Sequence, residues 1–181
     1  MNKRNIPPKV KLMSLSVEKL LSMPLAGRLL LAANLGSLLF VFVMQFGFDL
    51  KPCVLCLWER IPYYSTTVLL GLALVWKPCR WVTISLLGLC ALIYLTGMGL
   101  AVFHTGVEQH WWLGTSGCAV NPLHGASPDD LREALLHTVA PRCDEIVWTV
   151  LGLSMTNLNI VWSLLLAFFS AAAAAKAVQD S

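Results

Sequence analysis

Cys53-Val54-Leu55-Cys56 is a CxxC pair, and Arg60 follows Cys56 by four positions. Two thiols at this spacing can form and break a disulfide, with the thiolate as the reacting species. On a helix, residues four apart share a face, so Arg60 is expected beside Cys56. Cys56 also falls in the first turn of the apolar run that follows. Unpaired N–H groups and the positive end of the helix dipole favour an anion there. Both effects point to Cys56 as the low-pKa thiol. Pro52 and Pro62 stiffen the flanks. Cys118 and Cys143 stand apart from other cysteines, while Cys79 and Cys90 read as small, inert side chains.

A CxxC pair is also found in structural disulfides and in metal sites. A tetrahedral zinc site usually takes a second close pair. Cys118 and Cys143 do not make one, and His104, His110, His124 and His137 show no tight ligand spacing, so no metal is expected. Redox chemistry is the stronger reading. His104 and Glu108 share a helical face near the end of an apolar run. An ionisable group at that depth is a functional candidate, against the plainer reading of a hydrated interfacial histidine.

The elements that must hold these residues are membrane helices. The 181-residue chain is 57% hydrophobic and 13% charged, where a globular domain carries about 25% charge. That balance excludes a disordered chain, a secreted cystine knot and a nucleic-acid binder. A span needs ~20 apolar residues. Spans are expected at about 29–48, 57–76, 81–103 and 146–169, giving an all-α four-transmembrane-helix bundle. Residues 1–28 form an N-terminal tail, 29–169 the membrane domain and 170–181 a C-terminal tail. The leader is long for a signal peptide and lacks a small-x-small cleavage site, so the first span reads as an uncleaved anchor.

Lysine and arginine gather on the cytoplasmic side. Lys3, Arg4, Lys9, Lys11, Lys19, Arg28, Lys77, Arg80 and Lys176 share one side of an alternating four-span chain. Both termini are therefore expected in the cytoplasm, and loops 49–60 and 104–145 outside. Trp58, Trp111, Trp112 and Trp148 then fall at the outer boundary, and Trp76 and Trp81 at the inner one. Cys53, Cys56, Cys118 and Cys143 all face the side where disulfides persist. Ser127-Pro128-Asp129-Asp130 reads as an N-cap with acidic first-turn residues, so a short amphipathic helix is expected in the second outer loop.

Residues 51–60, Lys-Pro-Cys-Val-Leu-Cys-Leu-Trp-Glu-Arg, closely resemble the first periplasmic loop of the disulfide bond formation protein B (DsbB) family. His104-Thr105-Gly106-Val107-Glu108, Trp111-Trp112 and Cys118 are similar to the start of that family's second loop. Cys143-Asp144-Glu145, Trp148 and Leu151-Gly152-Leu153-Ser154-Met155 are similar to the approach to its fourth helix. Leu158-Asn159 stands where many members carry Trp-Asn. The resemblance implies a protein-disulfide:quinone oxidoreductase of the bacterial inner membrane. Its partners would be a periplasmic DsbA-like thioredoxin-fold protein, the membrane quinone pool (ubiquinone or menaquinone) and the bilayer, with no nucleic acid. Catalytic Cys53–Cys56 would be the quinone-side disulfide, with Cys56 nearest the ring. Catalytic Cys118–Cys143 would meet the partner, and a transient Cys53–Cys118 bond would join the two. Arg60 would serve the quinone, and His104 would line the same site.

Competing readings are a membrane protein merely stapled by its disulfides and a DsbB-like variant dedicated to one partner. A reductase resembling vitamin K epoxide reductases fits less well, because there the CxxC follows the loop pair in sequence.

Overall fold

Proline and small side chains organise this fold as much as apolar bulk does. The structure is a computed structural model that describes residues 22–115, 118, 142–150 and 152–180. It is mostly helical. In chain order the elements are α1 (Met23–Gly47), α2 (Val54–Trp58), α3 (Ile61–Trp76), α4 (Arg80–Glu108), β1 (Thr149–Val150), β2 (Leu153–Ser154) and α5 (Met155–Gln179). Prolines sit in the first turns of α1 and α3, where the missing N–H costs nothing. Lys77 closes α3 in the left-handed region at φ 47°, and Pro78 prevents the helix from continuing.

Among the described residues, three helices are long and apolar enough to cross a membrane: Pro24–Gly47, Arg80–Glu108 and Met155–Gln179. The 16-residue α3 rises only about 24 Å at 1.5 Å per residue, less than a ~30 Å hydrocarbon layer. The expected second span at 57–76 is divided. Glu59 and Arg60 form the joint between α2 and α3, and Pro62 explains the restart. The expected helical stretch at 146–169 also begins differently. A small antiparallel hairpin pairs Thr149 with Ser154 and Val150 with Leu153. Gly152, at φ 82°, supplies its tight turn. α5 then starts at Met155, capped by Ser154, whose hydroxyl accepts the Asn157 N–H at 3.3 Å. The amphipathic helix expected near residues 127–141 lies outside the described residues.

α4 and α5 form the closest pair, with α3 packed on both α1 and α4. Ser163, Ala167, Ser170, Ala173 and Ala177 are buried along α5. Small residues on one face let two backbones approach where no hydrophobic drive separates protein from lipid. Ser170 adds a hydrogen bond to the Leu87 carbonyl at 2.8 Å. At Gly97 a Cβ would come within 3.2 Å of Pro62, so its absence lets α3 sit close on α4. Leu30, Leu38, Tyr63, Leu87 and Tyr94 complete the bundle core. Leu39, Phe46, Val68, Trp76, Leu92 and Phe168 point outward, as lipid-facing side chains do.

Candidate redox site

Cys53 is the N-cap of α2, and its sulfur accepts the Cys56 N–H at 3.2 Å. Both thiols are free, with the sulfurs 2.7 Å apart. Capping turns the CxxC spacing into geometry: one helical turn brings Cys56 back over the residue that starts it. The electrostatics favour Cys53 as the thiolate. The Cys56 thiol donating to its sulfur has the largest effect. His104 and the Cys56 N–H add to this, burial opposes it, and Cys53 falls from the ordinary 9.0 to about 4. The same shared proton, together with burial, pushes Cys56 up. Sequence reasoning placed the low-pKa thiol on Cys56. The correction has a plain cause: the first-turn N–H of Cys56 stabilises the capping sulfur, and Arg60 turns elsewhere.

His104 reaches this pair from α4. Its Nε2 stands 3.6 Å from Cys53 Sγ, and its Nδ1 lies 2.6 Å from Glu59 Oε1. Glu59 accepts from Asn159 Nδ2 at 2.6 Å through its other oxygen. Asn159 in turn accepts the Tyr63 hydroxyl at 2.6 Å. A buried carboxylate is costly unless paired, and here histidine and amide occupy both its oxygens. Cys53, Cys56 and His104 present three ligand-type atoms within 4.8 Å of one another. Sequence spacing gave no hint of this donor set, because the histidine comes from a different helix. The expectation of no metal, drawn from spacing alone, missed it.

Arg60 donates to Gln45 Oε1 on α1 at 2.7 Å and lies 5.6 Å from the centre of the Phe42 ring. It thus joins the α2–α3 joint to α1 and lines a cavity of about 530 Å³ together with Cys53, Cys56, Glu59 and His104. Apolar walls come from α1 (Val41 and Met44) and α5 (Leu158 and Trp162). Trp162 also donates to Ser37 at 2.8 Å across the cleft between those helices. The lining is mostly apolar, with Glu59, Arg60 and His104 among its polar members.

Glu108 turns towards α5 rather than the thiols. Ser154 and Thr156 donate to its two oxygens at 2.7 and 2.6 Å, tying the end of α4 to the start of α5. Glu59, Gln45 and Asn159 are functional candidates that sequence reasoning passed over. Gln45 and Asn159 interrupt apolar spans, and polar residues at such depth are the available signal.

Cys118 and Cys143 are joined as a disulfide, with Cα atoms 5.0 Å apart. Cys53, Leu55, Val107, Cys118 and Cys143 form one buried cluster, with Cys56 and Phe103 packed against it. Trp112 helps hold the loop here. Its indole stacks on Phe103 at 6.0 Å and donates to the Phe103 carbonyl at 2.9 Å. A Cβ on Gly106 would run into that indole, so only glycine leaves it room. Beyond Cys143, the two-pronged grip of Arg142 holds the Asp144 carboxyl below the usual carboxylate range.

A dithiol, a disulfide and an apolar cavity on long apolar helices define a membrane thiol–disulfide oxidoreductase. The family model for "Disulfide bond formation protein DsbB" matches residues 25–173, and the chain belongs to that family. It is 31% identical over 139 residues to a disulfide bond formation protein B of Xylella fastidiosa, covering 73% of this chain and 78% of that one. A disulfide bond formation protein B of Methylobacillus flagellatus is 28% identical over 138 residues, covering 71% and 79%. An uncharacterized protein of Rickettsia prowazekii is 22% identical over 142 residues, covering 77% and 81%. No solved structure matches.

Proposed function

We propose that this disulfide-forming membrane protein moves electrons from a periplasmic DsbA-like, thioredoxin-fold dithiol protein to membrane quinone. In this reading α1, α3, α4 and α5 cross the bacterial inner membrane, both tails are cytoplasmic, and loops 49–60 and 104–145 are periplasmic. The observation that carries the reading is the single buried cluster in which Cys53 meets Cys118 and Cys143, beside an apolar cavity.

A partner thiolate attacks Cys118, forming a mixed disulfide and releasing Cys143. The partner's second thiol then displaces Cys118, so the partner leaves oxidised and the loop pair holds two electrons and two protons. With Cys53–Cys56 oxidised, Cys118 attacks Cys53 and releases Cys56; Cys143 then attacks Cys118, closing Cys118–Cys143 and returning Cys53 and Cys56 as the dithiol that quinone re-oxidises.

The cavity fits a quinone: its lining is mostly apolar, with Arg60 and Cys56 among the residues that border it. A quinone bound there supplies a sink for the electron pair and both protons. Arg60, aimed by Gln45 and Phe42, stabilises negative charge developing on an oxygen. Glu59 holds His104 against Cys53, where the imidazole adds to the larger effect of the Cys56 thiol in favouring the anionic sulfur. A sink beyond protein thiols is needed on energetic grounds. DsbA-type dithiols sit near about −120 mV and thioredoxin near about −270 mV, and each 30 mV is about 1.4 kcal/mol for two electrons. An ordinary protein disulfide would therefore be an uphill oxidant.

The test is oxidation of a reduced thioredoxin-fold partner by membranes containing this chain, with and without added quinone. Cys143→Ala is expected to trap a covalent partner complex on a non-reducing gel. Continued partner oxidation without any trapped complex would refute the shuttle.

A further inference from the structure

We propose that Cys53, Cys56 and His104, in the dithiol state, form a binding site for a thiophilic divalent cation of the Zn²⁺ class that competes with quinone. Binding itself needs no oxidase activity, whereas the competition rests on the quinone reading above.

The donor set is built rather than incidental. Zn–S bonds of about 2.3 Å and Zn–N bonds of about 2.0–2.1 Å at tetrahedral angles separate sulfur from nitrogen by about 3.6 Å. Cys53 Sγ and His104 Nε2 stand 3.6 Å apart. The same geometry separates two sulfurs by about 3.8 Å. They are now 2.7 Å apart, so Cys56 Sγ must swing outward. Cys56 has that freedom, being the partly exposed member of the pair and facing the cavity.

The supporting shell is also in place. A ligating histidine is commonly oriented by a carboxylate on its other ring nitrogen, and Glu59 Oε1 lies 2.6 Å from His104 Nδ1. With Nδ1–H donating to Glu59, Nε2 directs its lone pair towards the sulfurs. Asn159 secures the second oxygen of Glu59. The fourth coordination position opens to the cavity, where water completes the tetrahedron.

Redox state gates the site. Binding to the dithiol displaces the proton shared by Cys53 and Cys56 and moves no electrons. In the disulfide both sulfurs are spent, leaving histidine alone. A cation in the dithiol state occupies the cavity beside the sulfurs and engages the sulfur lone pairs needed for electron transfer.

The probe is Co²⁺, added under anaerobic conditions to the purified full-length chain carrying Cys118→Ala and Cys143→Ala. Cys79 and Cys90 stay free in either redox state, so comparing reduced with oxidised chain isolates Cys53 and Cys56. The reduced chain is expected to bind one Co²⁺ with tetrahedral ligand-field bands and sulfur-to-metal charge transfer. The oxidised chain should show neither. Glu59→Gln should weaken binding about 10–100-fold with helical circular dichroism unchanged, and His104→Ala should change the ligand-field bands. Equal binding by both redox states, or spectra indifferent to His104→Ala, would overturn the site. In the unsubstituted chain, Zn²⁺ should raise the apparent KM for quinone. Unaltered quinone kinetics at a Zn²⁺ concentration that fills the site would overturn the competition. Metal binding without any quinone reduction would leave the site standing and remove the oxidase reading instead.

Discussion

Among the described residues, two of the buried polar networks in this bundle differ in kind. Near its middle, Tyr94 donates to Asn34 at 2.9 Å and Asn34 donates to Thr66 at 2.9 Å. Thr66 passes the chain to the Pro62 carbonyl at 2.8 Å. Every member is neutral, and none of the three side chains lines the cavity. Near the end that carries the CxxC pair, the network of His104, Glu59, Asn159 and Tyr63 contains ionisable groups, touches a thiol and borders the cavity. The first clasps α1, α3 and α4 together. The second holds an imidazole and a carboxyl group beside sulfur. Polarity inside a membrane bundle does not by itself mark a site; polarity bordering a cavity and a nucleophile does.

The comparison can be broken by substitution. Cys53→Ser is expected to abolish quinone-dependent partner oxidation in membrane assays, while the folded fraction stays that of the parent chain. Loss of folding together with activity would erase the distinction between the networks.

The second prediction concerns pH. Cys53 is depressed from 9.0 to about 4. Its alkylation in the reduced chain, followed at the peptide by mass spectrometry, should be nearly flat from pH 8 to about 5 and fall only towards 4. For a thiol depressed on folding, the stability contribution is full above the unfolded value of 9.0 and is lost as pH falls through the folded value near 4. Alkylation that instead rises through pH 8–9 would show that the network beside Cys53 does not hold a thiolate.

Arg60→Ala should raise the apparent KM for quinone about tenfold or more, as loss of a charged hydrogen bond worth about 1.5–3 kcal/mol implies. Unchanged quinone kinetics in purified enzyme would remove Arg60 from the site. The smallest effect is expected in the middle network. Asn34→Ala should cost about 1–2 kcal/mol of stability, read as a lower denaturation midpoint, with turnover per folded molecule unaltered.

Much of this molecule is legible in its residues. Apolar length located α1, α4 and the body of α5, and CxxC with Arg60 marked the reactive end. The divided second span was less visible, although Pro62 is a helix-start signal that length alone obscured. Residues 146–154 are apolar enough to pass for helix. Only the positive φ at Gly152 and the Ser154 cap reveal the hairpin. Glu59 and His104 lie 45 positions apart, so no local periodicity could join them. The identity of the low-pKa thiol depended on which sulfur accepts and which donates, a matter of rotamers rather than spacing.

Cys53 does double duty as the cap of a five-residue helix and as a reacting sulfur. α2 is little more than one turn, with no reserve of cooperative length. In the proposed cycle, a bond from Cys53 to Cys118 would draw the capping sulfur towards the other loop and weaken its hold on the Cys56 N–H. When Cys53 returns, that hold would be restored. In that cycle the order of this one turn would follow the redox state of the loop.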